Sequence, residues 1–178
     1  MLWTLAFDRL GVVMSDLYFV DPTIDQGAGG AERGVRLELR YFERDELKGS
    51  VYSAVPIRID RPIWRVDLLE TAESEPGSLN RAHHHARFHD WDPGKRVFVQ
   101  ELSDNPVGWV RDRFGQLDAV LADAGIASQH HTRDDVESLR GAAPVIANQL
   151  EFMLAEVAAG RAGLPPAGQA DFVRQSWL

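Results

Sequence analysis

Val35 to Phe42 reads VRLELRYF, and its alternation decides the fold. Val35, Leu37, Leu39 and Tyr41 fall on one side of an extended chain, while Arg36, Glu38 and Arg40 fall on the other. A strand with one apolar and one charged face suits an antiparallel sheet covered by core on one side. The same signal recurs in both directions. Gly11 to Val20 (GVVMSDLYFV) is rich in β-branched and aromatic residues, and Asp21-Pro22 stops it. Val51 to Asp60 predicts a third strand with Val51, Ser53, Val55, Ile57 and Ile59 on one face, and Pro56 makes it an edge or interrupts it. Beyond Arg61-Pro62, Ile63 to Glu70 (IWRVDLLE) predicts a fourth, with Trp64, Val66 and Leu68 inward and Arg65 and Asp67 outward. Arg81 to Trp91 predicts another strand, and Val97 to Val99 a short closing one after the turn Asp92-Pro93-Gly94-Lys95. Gln26 to Gly34, Glu43 to Ser50 and Thr71 to Asn80 read as loops. Short connections of this kind pair five to six strands as an antiparallel meander.

The last third changes period. Asn105 is placed to cap a helix, Pro106 to occupy its first turn, and Gly125 to end it. Between them Val107, Val110, Phe114, Leu117 and Leu121 make one helical face. A second helix is expected from Thr132, capped by Thr132 and Asp135, with Val136, Leu139, Ala143, Ile146, Leu150, Met153 and Val157 inward. Gly141 and Pro144 predict a kink or short break in it. Strands first and helices last make this an α+β chain: a meander sheet with two C-terminal helices on one face. The 178 residues read as a single domain, mainly β over 1–100, helical over 105–160, with a linker and short tail over 161–178.

Composition bounds the function. The chain is 44% apolar and 26% charged, with 19 basic and 27 acidic side chains and a net charge of -8. That balance speaks against a nonspecific nucleic-acid coat. It is uneven: residues 1–30 sum to -3, 31–100 to zero and 101–178 to -5. Zero cysteines exclude a disulfide scaffold, a thiol nucleophile and a thiolate metal site. The absence of a signal peptide and of a long apolar run points to a cytoplasmic chain without a membrane span. Gln26 to Gly34 lacks the Gly-Lys-Ser/Thr ending of a phosphate loop, and Ser15, Ser50, Ser53 and Ser78 lack the Gly-x-Ser-x-Gly context of a serine hydrolase.

One cluster carries chemistry. Four of the six histidines fall between His83 and His89, in RAHHHARFHDW. On a strand, Arg81, His83, His85 and Arg87 share one face, and Ala82, His84, Ala86 and Phe88 the other. Neighbouring strands can add Arg65 and Asp67, with Arg58, Asp60, Arg36 and Arg40 further out. The first reading is phosphodiester chemistry on RNA or a small phosphorylated ligand. His83 and His85 are then the acid and base, and Arg81, Arg87 and Arg65 hold phosphate. The second is a divalent metal on His83 and His85, with His89, Asp67 or Asp60 as third ligand, in a protein acting on small molecules. A third is a non-catalytic protein whose acidic helices, through Asp134 and Glu137, dock a basic partner. A plain solvated sheet face, with His84 a satisfied core residue, needs none of these.

The run RIDRPIWRVDLLE followed by NRAHHHARFHDW also resembles a small actinobacterial protein family with that central signature. The resemblance implies no catalytic residue. The order of an arginine–aspartate strand and then a histidine-rich strand is distantly similar to TumE-like toxins of toxin–antitoxin pairs. That likeness implies the toxin of such a pair.

Overall fold

A computed structural model describes residues 1–20, 30–44, 49 and 56–165. Five strands run in the order β1-β2-β3-β4-β5, each antiparallel to the next. They are β1 (Leu2–Ala6), β2 (Leu10–Phe19), β3 (Glu32–Arg44), β4 (Ile57–Thr71) and β5 (His83–His85). After them come α1 (Gln100–Asp104), α2 (Pro106–Gly115), α3 (Leu117–Asp123), a 3-10 turn (Ser128–His130), α4 (Arg133–Gly141) and α5 (Ala143–Ala158). The chain is therefore α+β, an open antiparallel meander followed by helices. None of the described helices is long and apolar enough to cross a membrane.

The register places the apolar half of each alternation in line. Met14 faces Leu37, which faces Val66, which faces His84. Val12, Leu39 and Trp64 form the neighbouring row. Against these rows pack Trp109, Val110 and Phe114 of α2, Leu139 of α4, and Ile146, Leu150 and Met153 of α5, in one continuous core. Trp64 stacks on Trp109 at 6.0 Å between centroids and meets Phe114 edge-on at 6.1 Å. A fully buried side chain of this size contributes about 1.5–3 kcal/mol, so this layer supplies most of the folding drive.

Several elements differ from the sequence expectation. The separate strands expected over 51–60 and 63–70 are one long strand, β4, over its described part; residues 51–55 lie outside the described residues. Pro62 sits inside β4, opposite Arg40, where the β3–β4 register shifts twice. β5 pairs with β4 only at Arg65 to Asp67. At Pro62 the strand is thus an edge, and a missing N–H there breaks no ladder bond on that side. Leu2–Ala6 adds a strand beyond those the sequence predicts. The strand expected over 81–91 keeps only His83–His85. Beyond it His89 and Asp92 exchange both backbone hydrogen bonds, at 2.9 and 3.0 Å, and Asp90 (φ 55°) and Gly94 (φ 65°) turn the chain back. Val97 then bridges to His84 instead of opening a strand.

The helical third is divided more finely than two helices. Asn105 does cap α2, its side chain accepting from the Gly108 N–H at 3.1 Å, and Pro106 opens it. The helix breaks at Gln116 before α3, and Gly125 follows α3 at φ 73°. Thr132 and Asp135 form a full capping box on α4. The expected break falls at Ala142, between Gly141 and Pro144. Of the loops expected over 26–34 and 43–50, residues 26–29, 45–48 and 50 lie outside the described residues, as does the tail after Pro165; Glu32 to Gly34 and Glu43 to Arg44 belong to β3.

Candidate metal centre

The charged half of each alternation forms the second face of the sheet, and the register orders it into two rungs. Ser15, Arg36, Asp67 and His83 stand side by side on β2 to β5, and so do Val13, Glu38, Arg65 and His85. Signs therefore alternate both along and across β3 and β4. Arg36 Nε donates to Asp67 Oδ1 at 2.6 Å. Arg65 Nε donates to Glu38 Oε1 at 2.7 Å, and Arg40 Nη1 to Glu38 Oε2 at 2.5 Å. The face is not a solvated one. Asp67 is 2% exposed, His83 1% and His85 5%.

What covers the two histidines is the chain just beyond them. Phe98 lies 5.5 Å from the His83 ring and Phe88 6.3 Å from the His85 ring. The guanidinium of Arg65 rests over Phe88 at 5.0 Å. The hairpin excursion from Ala86 to Arg96 thus folds back over the β4–β5 edge, whereas the sequence predicts a strand as far as Trp91 and a turn only at Asp92 to Lys95.

Both imidazoles are oriented by backbone. His83 Nδ1 donates to the Arg81 carbonyl at 2.8 Å, and His85 Nδ1 to the Pro93 carbonyl at 3.0 Å. A carbonyl only accepts, so the proton of each neutral ring is on Nδ1 and Nε2 carries a lone pair. Both Nε2 atoms turn to the same carboxylate oxygen, Asp67 Oδ2, each at 3.4 Å. The ligand atoms of the three residues all lie within 4.8 Å of one another. Burial alone would raise the Asp67 carboxyl, but the Arg36 guanidinium, with Arg65 beside it, holds it well below the ordinary 3.8. Three electron-pair donors, one of them an anion, therefore converge on a common point.

His84 behaves oppositely. It points to the helices, 5.2 Å from the Trp109 ring, with Nδ1 buried and unpartnered. Burial, with the positive field of Arg113, pushes its imidazole down to about 4. It is a neutral packing residue and not a fully satisfied one.

The other sequence candidates scatter. Arg81 pairs with the buried Glu32 at 2.8 Å, near the centre but committed. Arg87 leaves the row because β5 has already ended, and its guanidinium lies against Gly125 after α3. His89 is exposed in the turn with Asp92. Asp60 lines a separate groove with Arg9, Tyr41, Arg44, Arg61 and His130. Arg58 is exposed and pairs with Glu43. On the helices, Asp134 is exposed, and Glu137 pairs with Arg133 within one helix face. One buried carboxylate does more than the capping its spacing predicts. Asp135 caps α4, and its Oδ1 also accepts the N–H groups of Asp8, Arg9 and Leu10 from the β1–β2 turn.

No family model matches this chain, and no curated protein and no solved structure matches it either. The functional reading therefore rests on this geometry.

Proposed function

We propose that this protein binds a divalent transition-metal ion on Asp67, His83 and His85, and that it acts through that ion on a small molecule. The observation that carries the reading is the convergence of two Nε2 lone pairs on Asp67 Oδ2, each at 3.4 Å. Bonds of about 2.0–2.2 Å around a tetrahedral ion set neighbouring ligand atoms roughly 3.3–3.5 Å apart, so the spacing suits zinc. The surroundings support it too. A ligating histidine ordinarily donates its other ring N–H to a carbonyl, and a ligating carboxylate is itself hydrogen-bonded. Arg81 O, Pro93 O and Arg36 supply these three contacts. Three protein ligands leave a fourth position for water or substrate, the arrangement of zinc sites that do chemistry rather than hold a fold.

The same observations favour this reading over phosphodiester cleavage. An acid and a base must reach the phosphate and the 2'-hydroxyl. Here both nitrogens of each imidazole already face protein oxygens, Nδ1 a backbone carbonyl and Nε2 Asp67 Oδ2, so neither is placed to exchange a proton with substrate, and Arg87 stands elsewhere.

The test is metal content of untagged protein by elemental analysis, followed by zinc titration of chelator-treated protein. About one equivalent is expected, lost in His85→Ala and in Asp67→Asn and kept in His89→Ala and Arg87→Ala. Circular dichroism checks that each variant is folded. If wild-type protein takes up less than a tenth of an equivalent at micromolar zinc, the reading is wrong, whatever the variants do.

A further inference from the structure

The charge around the centre does not balance, and the imbalance names a second ligand. Three guanidinium groups, on Arg36, Arg40 and Arg65, meet two carboxylates, on Asp67 and Glu38. Guanidinium stays protonated at any pH at which proteins fold, so this layer carries at least one surplus positive charge. The nearby carboxylates are turned or committed elsewhere: Asp60, whose backbone carbonyl accepts from Arg40 Nε at 2.7 Å, lines the separate groove beside Arg61. Glu32 is already shared by Arg81 and Arg96, and Glu70 is held by Arg33 and the Gly77 N–H. A divalent ion on Asp67, His83 and His85 raises the surplus to three. Uncompensated charge is strongly disfavoured in a water-poor layer.

Two features say how it is compensated. Arg36 commits Nε and Nη2 to Asp67, and Arg65 commits Nε and Nη2 to Glu38. Each keeps Nη1 outside these pairs. The metal ligands are at most 6% exposed as side chains, whereas Arg36 is 24% and Arg65 13% exposed. The two guanidinium groups are thus more exposed than the metal ligands, and they retain donors suited to an oxyanion.

Resting on the metal reading above, we infer that the centre binds its metal together with a small oxyanion, a phosphate or carboxylate group, held between the ion and the guanidinium groups of Arg36 and Arg65. The substrate class of the site is then a small molecule that presents such a group. The anion offsets the surplus charge, so each ligand raises the affinity for the other by the same factor.

Cobalt(II), followed by its visible absorption, replaces zinc as the probe. Chelator-treated protein is titrated at equal ionic strength in perchlorate, in acetate and in inorganic phosphate. At least tenfold tighter cobalt binding is expected with an oxyanion that coordinates than with perchlorate. The acetate and phosphate arms separate a carboxylate from a phosphate ligand. Arg65→Met removes one surplus charge, so it should tighten binding in perchlorate and shrink the anion effect below threefold. Arg40→Met, at the margin of the cluster, gives the same test if Arg65→Met does not fold. Stoichiometric cobalt binding that differs less than threefold among the three anions overturns this inference and leaves the metal centre standing. No cobalt binding in any of them removes both.

Discussion

Asp135 joins the two halves of the chain, and replacing it should show how tightly. Its Oδ2 accepts from the Thr132 N–H at 2.9 Å and the Thr132 hydroxyl at 2.7 Å. Its Oδ1 accepts from the N–H groups of Asp8, Arg9 and Leu10 at 3.0, 3.0 and 3.3 Å. The residue is 1% exposed. Hydrogen bonds to a charged acceptor contribute about 1.5–3 kcal/mol each, and an orphaned buried donor costs about 1–3 kcal/mol. Asp135→Asn keeps an oxygen for the three turn amides but weakens those bonds by removing the charge. It also faces the Thr132 N–H with an amide donor. The sum is a loss of about 3 kcal/mol, and Asp135→Ala, which abandons all five donors, should lose about 5 kcal/mol.

Urea unfolding at pH 7 measures the loss, and amide hydrogen exchange locates it. The amides of Asp8, Arg9 and Leu10 should lose protection ahead of those in β3. The pH dependence supplies an independent sign. Burial raises the Asp135 carboxyl, but donors from Arg9, Thr132 and Leu10 outweigh it and hold the group below 3.8. The unfolded chain therefore takes up this proton at a higher pH than the folded one. Stability from the group is complete above 3.8 and fades as pH falls through the folded value. Since the asparagine variant never had it, the gap between wild type and Asp135→Asn should narrow from pH 5 to pH 3. A gap under 1 kcal/mol at pH 7, or one that widens in acid, would refute the reasoning.

Two further predictions concern the frame that holds the centre. Gly34→Ala puts a methyl where the Leu68 carbonyl oxygen lies 2.0 Å away, so β3 and β4 must part locally; a loss of at least about 3 kcal/mol in urea unfolding is expected, and a neutral variant would contradict the register. Phe114→Ala empties a position that is 1% exposed against Trp64. It should cost about 3–5 kcal/mol and change the near-UV circular dichroism of the tryptophan pair, while unchanged stability would deny the α2–sheet packing.

The sheet was legible because each strand carries a period of two over many residues, and one face had to be apolar. Arg36, Glu38, Arg65 and Asp67 could be put on the other face from that period alone. What alternation cannot convey is how strands slide past one another. Only the register sets Arg36 beside Asp67 and Asp67 beside His83, and so turns a list of polar residues into a centre. The pleat of HHH also put His83 and His85 together correctly, but extending it to Arg87 failed. Strand length depends on a partner, and β4 offers β5 only three residues before the chain turns away. Pro62 misled for a related reason: its missing N–H matters only where a second neighbour is present, and the sequence does not say where β5 stops. Asp135 shows the same limit at longer range. Its spacing from Thr132 is a local signal, whereas its hold on the β1–β2 turn spans more than 120 residues. In this protein, then, local period chose the faces, and long-range pairing chose which groups meet on them. The chemistry proposed for Asp67, His83 and His85 depends on the second, so a test that disturbs register without touching a ligand, such as Gly34→Ala, should weaken metal binding along with stability.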